Sequence, residues 1–266
     1  MARSIWNGVI SFGMVSIPVK LLTATESKDV AFHLLHAECS TRIRQLRWCP
    51  QHEREVGWDE VVRAYEYAKG EYVVMTDEDF EHLPIPSKNT IELSAFVEAS
   101  EIDPVFYEKT YYLEPTEVGV KPYALLTRAL AGKRLTAIAK IAIRNKERLC
   151  ALRPSDGTLV LETLYYPDEI RVVERTTAAG VDVSDRELDM AHALIDLLSG
   201  PFQPEEYRDT YREAVLQVIE SKIAGKEVVE PEPAPEVKVV DLVAALKASV
   251  DAAKAAKAAK PRRKAG

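Results

Sequence analysis

Short segments of alternating hydrophobicity, each closed by glycine or proline, fill the first part of the chain to about residue 170, and this spacing restricts the fold more than any other feature. The segments are Val9–Phe12, Val15–Leu21, Val30–Leu35, Tyr72–Met75, Thr90–Val97, Val105–Leu113, Leu135–Arg144, Arg148–Leu152 and Leu159–Tyr165. Each is rich in β-branched or aromatic residues with a period near two, the mark of a strand with one buried face. Gly8, Gly13, Pro18, Gly70, Pro84, Pro86, Pro104, Pro115 and Gly157 separate them. Only brief helices interrupt. Thr76-Asp77-Glu78-Asp79 has the form of a capping box, and Val120–Ala131 carries Tyr123, Leu126, Thr127 and Leu130 at helical spacing, ending at Gly132. The pattern predicts a mainly β fold with helices (α+β), a barrel or sandwich with insertions.

The period changes from about residue 184. Ser184 and Glu187 form a second capping box, followed by Leu188, Ala191, Leu194, Ile195 and Leu198 on one helical face. A further helix is expected from about Pro204 to Ala224, with Tyr207, Tyr211, Val215, Val218 and Ile219 inward. Residues 226–237 read as a proline and acid linker, extended and solvated. Beyond it, Val239, Leu242, Val243, Leu246 and Val250 make an apolar stripe, and Ala-Ala-Lys then repeats three times from residue 252 to residue 260. This tail, 238–266, is helix-prone and basic, suited to be either a polyanion-binding arm or a solubilising end.

Charge is sorted along the sequence. Lys121 to Arg153 holds nine Lys and Arg against one acid, Glu147, whereas Glu71 to Glu117 holds twelve acids against Lys88 and Lys109. The 266 residues together carry a formal charge of -7, so the basic block sits on an acidic body. Such a field favours a polyanion at one surface and disfavours it elsewhere; a solvated hairpin flanked by cations gives the same count. With 47% hydrophobic residues there is material for a real core in one large or two smaller domains. No apolar run approaches the ~18 residues of a bilayer span, and the N-terminus lacks a signal-peptide pattern, so no membrane partner is expected. Three cysteines, Cys39, Cys49 and Cys150, are too few for a disulfide framework and point to a reducing cytoplasm.

In the strand ending at Arg144, alternation puts Ala139, Ile141 and Ile143 on one face and Lys140, Ala142 and Arg144 on the other. Asn145 and Lys146 make the turn, and Arg148 begins the return strand. Lys133 and Arg134 end the preceding helix, where the helix dipole alone favours cations by about 0.3–1 kcal/mol. Arg42 and Arg44 would share one face of a strand, with Arg47 close by. There is no helix-turn-helix, zinc-finger array or RNP aromatic pattern. These cations suit sequence-independent contact with a nucleic-acid backbone. The candidate set is therefore Arg42, Arg44, Arg47, Lys133, Arg134, Lys140, Arg144, Lys146 and Arg148, with Lys254, Lys257, Lys260, Arg262, Arg263 and Lys264 in the tail.

One constellation has ligand chemistry. His36-x-x-Cys39 and Cys49-x-x-His52 offer a Cys₂His₂ set in two pairs, which zinc accepts tetrahedrally. The gap between them is shorter than the common finger spacing, and a strand histidine beside small apolar cysteines accounts for the same letters. No metal or cofactor is assigned on this basis. No P-loop, Gly-x-Gly-x-x-Gly, Gly-x-Ser-x-Gly or His-Glu-x-x-His is present, and the acidic pairs Asp77/Asp79 and Asp168/Glu169 read as helix starts and turns. A non-enzymatic binding protein is expected. The alternative is a zinc-dependent enzyme acting on nucleic acid through His36, Cys39, Cys49 and His52.

The run from Ser4 to Leu22 closely resembles the start of bacterial Ku proteins. So do Phe32-His-Leu-Leu-His36, Arg42-Ile-Arg44, Tyr65-Glu-Tyr67, Val73-Val-Met-Thr-Asp77, Ile102-Asp-Pro104 and Glu108-Lys-Thr-Tyr-Tyr-Leu-Glu-Pro115. Arg144-Asn-Lys146, Leu152-Arg-Pro154, Leu161-Glu-Thr-Leu164 and Pro167-Asp-Glu-Ile-Arg171 continue the match, in order, to about residue 225. The resemblance implies a homodimeric, sequence-independent protein that encircles linear double-stranded DNA ends in non-homologous end joining. It implies a β-barrel core over 1–175 with an inserted bridging arm at about 22–82, no cofactor, and a nucleoid-associated cytoplasmic location. The helical region 184–225 matches the segment that recruits ATP-dependent DNA ligase D. A pure ligase scaffold without DNA affinity is a third reading. Several Ku sequences have Cys-x-x-Cys where this chain has Cys49-Pro-Gln-His52, a departure compatible with either keeping or dispensing with a metal.

Overall fold

In the computed structural model, residues 4–83, 89–143, 146–172, 180–225, 246–252 and 254 are described. In chain order come β1 (Trp6–Phe12), β2 (Val15–Thr23), β3 (Trp48–Cys49), β4 (Arg54–Glu55), β5 (Arg63–Ala68), β6 (Glu71–Met75) and α1 (Asp77–Glu81). Then follow β7 (Thr90–Glu98), β8 (Tyr107–Pro115), α2 (Val120–Lys133), β9 (Leu135–Ile143), β10 (Lys146–Ser155), β11 (Thr158–Leu164), α3 (Asp185–Leu198) and α4 (Thr210–Ile223). The chain divides into two units, Met1–Lys28 with Phe32–Val173, and Asp29–Ala31 with Glu174–Gly266.

In the first unit a closed barrel runs β1-β2-β8-β11-β10-β9-β7, as the sequence pattern leads one to expect. All neighbours are antiparallel except β1 with β7. Alternation builds its interior: Ile17, Val19 and Leu21 of β2, Ala137, Ala139, Ile141 and Ile143 of β9, and Leu159 and Leu161 of β11 join one apolar cluster. Tight turns fix the register. Gly13, at φ 60°, supplies the left-handed residue between β1 and β2, and Asp156 and Gly157, at φ 46° and 80°, turn β10 into β11. Asp-Gly is a preferred pair for two-residue hairpins because both positions need positive φ.

Helix α2 packs on β2, β9 and β10 and sends Tyr123, Leu126 and Leu130 into the core. A buried phenol needs partners. The Tyr123 hydroxyl donates to the Leu113 carbonyl at 2.6 Å and accepts from the Leu159 N–H at 2.6 Å. The helix passes the expected stop at Gly132 and ends at Lys133, with Arg134 as a left-handed cap at φ 57°.

Between β2 and β7 lies an arm holding the two-stranded sheets β3–β4 and β5–β6 and the short α1, whose capping box at Thr76 and Asp79 forms as predicted. No described residue from 32 to 83 is buried. The expected strand Val30–Leu35 does not form; Leu35 makes only an isolated bridge to Arg42. Its alternating residues have no sheet to pack on, and Phe32 is 72% exposed.

In the second unit, α3 opens on the predicted box, with Ser184 Oγ accepting from the Glu187 N–H. The expected inward stripe is only partly covered: Ala191 and Leu194 are half-buried, whereas Leu188, Ile195 and Leu198 are exposed. Nor is 204–224 one helix: a single turn at Pro204–Glu206 precedes α4, which Asp209 caps. Tyr207, Tyr211 and Val218, expected inward, are exposed, while Val215 and Ile219 are partly covered. Helical spacing identifies a stripe without saying what covers it. Residues 246–252 and Lys254 are helical; the linker at 226–237, Val239, Leu242 and Val243 lie outside the described residues. No described helix is long and apolar enough to cross a membrane.

Candidate nucleic-acid interface

The basic hairpin is β9–β10. Lys140 is exposed between the buried Ala139 and Ile141. Its ammonium meets Glu147 at 3.1 Å. Glu147 stands opposite Ala142, so Lys140 reaches it along the cross-strand diagonal. The hydrogen bond and charge of Glu147 hold the Lys140 ammonium above its ordinary pKa. Lys146 pairs with Glu169 at 3.3 Å, and the Tyr166 N–H, then Lys146, keep the Glu169 carboxyl below the usual range.

Arg148 belongs to the other face. It stands opposite Ile141, whose side chain is in the core, and it pairs with Glu108 of β8. Glu108 also accepts from Thr163 Oγ1 at 3.1 Å. The return strand begins at Lys146 rather than at the expected Arg148, and Lys140 and Arg148 do not form one cationic surface. Arg144 lies outside the described residues. Lys133 and Arg134 stand exposed at the end of α2. Lys121 and Arg128 are exposed on α2 as well. Their spacing of two helical turns puts them on one face, a signal present in the basic block but not used to select candidates. Arg153 forms a forked pair with Glu162 at 3.0 and 2.8 Å. Glu162 is only 9% exposed, which makes this pair part of the barrel wall.

Exposed ion pairs contribute roughly 0–1 kcal/mol. A polyanion can therefore displace Glu147 from Lys140, or Glu169 from Lys146, at small cost. Surface cations held this way recognise phosphate charge without reading bases.

The arm carries the second cation group. Arg42 and Arg44 are exposed, but Arg42 sits in the isolated bridge and Arg44 in irregular chain, so the expected shared strand face is absent. Arg47 lays its guanidinium over the Trp58 ring at 4.2 Å and is half-buried. The metal candidates form two contacts: His36 Nδ1 to Cys39 Sγ at 3.3 Å, and Cys49 Sγ to His52 Nδ1 at 3.3 Å. Among the described residues no group of three or more His, Cys, Asp or Glu converges as a ready-made metal site. In the tail, Lys254 is helical and exposed; Lys257, Lys260, Arg262, Arg263 and Lys264 lie outside the described residues.

A family model described as the Ku70/Ku80 beta-barrel domain matches residues 11–190. The chain belongs to the Ku family. Its Ku relatives include a protein of Symbiobacterium thermophilum named Non-homologous end joining protein Ku, 49% identical over 260 residues that span 97% of this chain and 65% of that one. One of the same name from Heliobacterium modesticaldum is 45% identical over 257 residues, 96% of this chain and 93% of the relative. Another from Bacillus subtilis is 41% identical over 254 residues, 94% and 82% of the two chains. The chain thus spans just under two thirds of the Symbiobacterium Ku. The family match begins near the end of β1 and ends within α3, and so takes in the other six strands of the closed barrel together with the arm.

Proposed function

We propose that two copies of this chain close around linear double-stranded DNA and hold broken ends for joining, with no covalent chemistry of their own. The observation that carries this reading is a Ku barrel whose exposed cations, Lys140 and Lys146 on the hairpin and Lys133 and Arg134 at the end of α2, are free of base-reading machinery. The relatives' name, Non-homologous end joining protein Ku, supports it. Arg42, Arg44 and Arg47 of the arm and Arg144 are proposed to contact DNA as well, and Lys254, Lys257, Lys260, Arg262, Arg263 and Lys264 of the tail are proposed as a separate contact. Arg148, turned to Glu108, serves the barrel mouth and contacts DNA only if that pair opens.

The domain division that goes with this reading is a barrel over 1–175, with the arm at about 22–82, then the helical region 184–225, the linker 226–237 and the basic tail 238–266. The uncovered stripes of α3 and α4, with Leu188, Ile195, Leu198 and Tyr211 exposed, support 184–225 as the segment that recruits ligase D. The nucleoid is the corresponding location.

The test is topological. Protein loaded on a linear fragment and on a covalently closed circle is challenged with high salt. Retention on the linear fragment after its ends are blocked, with release from the circle, is the expected result. Equal behaviour on both would replace threading with ordinary groove binding. Sedimentation gives the dimer independently, and loss of ligase D capture on Leu188→Asp/Leu198→Asp gives the recruiting face.

A further inference from the structure

We propose that α2 of one copy of this chain docks on α3 of a second copy, through charged and apolar rows of matching spacing. On α2, Lys121 and Arg128 stand seven residues apart and exposed. Beside them Val118, in the turn that leads into the helix, and Leu125 are also seven apart, and are 83% and 64% exposed. With Val120 they line a shallow depression of about 470 Å³ on the barrel unit. On α3, Leu188 and Ile195 are seven apart and exposed. Asp189 and Asp196 each follow one position later, again exposed. Seven residues make about 10.5 Å of helix, so two carboxylates on one helix can meet two cations on the other at once.

The order of the rows sets the orientation. Successive residues of an α-helix turn by about 100°, which puts the apolar row of α2 after its cations in the direction of winding. On α3 the acids come after the apolar row. Facing helices that run parallel meet these orders in reverse. Val118 and Leu125 then lie against Leu188 and Ile195, while Lys121 and Arg128 lie against Asp189 and Asp196. An antiparallel pair would set charge on leucine in both rows. Among the described residues none of these four charges forms an ion pair within the chain, so the contact breaks no existing one.

A phosphate backbone would satisfy the two cations of α2 and leave Val118, Val120 and Leu125 in water; an acidic amphipathic helix accounts for all five. Helix α4 also has acids seven apart, Glu213 and Glu220, beside Leu216 and Ile223, but Arg212 and Lys222 cancel its charge. Helix α3 carries four acids against Arg186 alone, which makes it the better complement. Both stripes stand uncovered in the single chain, and a second copy supplies the partner each lacks. The apolar rows provide the attraction, while exposed ion pairs add little affinity and fix the register. The contact covers Leu188 and Ile195, on the stripe proposed above to recruit ligase D. Association of copies and capture of the ligase therefore exclude one another.

The test uses the full chain without DNA or ligase, so its failure leaves the threading and recruitment readings standing. Sedimentation equilibrium at low salt measures each step by which copies associate. Lys121→Glu/Arg128→Glu should weaken one step at least tenfold, and Asp189→Lys/Asp196→Lys should weaken the same step as much. All four changes in one chain should restore it to within threefold of the wild type. Copper-catalysed oxidation of a tagged Leu125→Cys chain mixed with an untagged Ile195→Cys chain should join the two sizes. The native thiols Cys39 and Cys49 set the background, read with an untagged wild-type partner. Joined product at background level, reversals without effect on association, or no recovery in the fourfold variant would each overturn the proposal. Recovery with Glu213→Lys/Glu220→Lys in place of the α3 changes would overturn it in favour of α4. Weakened duplex binding by Lys121→Glu/Arg128→Glu with association unchanged would overturn it in favour of phosphate.

Discussion

Barrel and arm are made by one chain from similar letters, yet they solve different problems. In β2, Ile17, Val19 and Leu21 are each at most 1% exposed, because six other strands wrap the same interior. In the arm, Phe32, Leu34, Trp48, Tyr65 and Tyr67 are as apolar and all exposed. The barrel's stability comes from area removed from water, at roughly 25 cal/mol per Å². The arm has little of that and is held by local polar devices: the Arg54–Glu60 pair, the Thr76 cap and the Arg47–Trp58 stack. Uncovered apolar surface of this kind is common at contact surfaces. The difference teaches that the same apolar letters make a buried core where strands wrap them and an uncovered surface where none do.

The sharpest way to break that comparison is to truncate one leucine in each region. Leu152→Ala, at a wholly buried core position, should lower the unfolding free energy by about 2–5 kcal/mol through lost transfer energy and a residual cavity. Leu34→Ala, on the exposed arm, should change it by no more than about 0.5 kcal/mol. Urea denaturation of both variants reads the result. An arm variant as damaged as the core variant would mean the arm is packed in solution.

The barrel was legible because its signals are local. Period-two alternation predicted β2 and β9, and Asp156-Gly157 and Gly13 mark turns by their own conformational needs. Val30–Leu35 carries the same alternation and is no strand, since alternation reports a capacity for burial and not the presence of a partner sheet. Tyr207 and Tyr211 failed for the same reason. The candidate site was half legible. Cations clustered in sequence predicted a basic surface, but folding returns acids from elsewhere: Glu108 to Arg148, Glu162 to Arg153 and Glu169 to Lys146. The face of Arg148 depends on a register that pairs it with Ile141, and the placement of Arg148 as the start of the return strand was two residues late.

Charge provides the next test, again one that separates the regions. Each phosphate contact steepens the fall of log affinity with log salt by about 0.9. Lys133→Ala/Arg134→Ala on the barrel unit should flatten that slope by about 1.8 at a stability cost of no more than about 1 kcal/mol from the lost charge at the end of α2. Glu147→Gln should act in the opposite sense, freeing Lys140 and tightening DNA binding. If Arg42→Ala/Arg44→Ala flattens the slope and the Lys133/Arg134 pair does not, the phosphate-binding surface belongs to the arm alone. A smaller effect tests the arm's own cohesion. Trp58→Ala removes the stack beneath Arg47, worth about 0.5–1 kcal/mol at an exposed site. The Val56 amide, bonded to the Arg47 carbonyl at 2.9 Å, should then exchange about two- to fivefold faster, with barrel amides unaffected.

Acid provides the finest separation. Arg54, then the Gly57 N–H, hold the Glu60 carboxyl at a pKa of about 2 against an ordinary 4.5. A carboxylate with a depressed folded pKa contributes its full stabilisation above the unfolded value and loses it as pH falls through the folded one. The lock between β4 and the turn at Gly57 is thus intact above pH 4.5 and released progressively toward pH 2. Because the group is exposed, the loss should appear as local loosening of the β3–β4 hairpin and not as a step in global unfolding. Carbon-detected titration of Glu60 should give a midpoint near 2 in the wild type and a clearly higher one in Arg54→Ala, still below the ordinary 4.5 because the Gly57 N–H bond remains, with hairpin amide shifts following the same curve. A wild-type midpoint near 4.5 would show that the arm has no polar lock there.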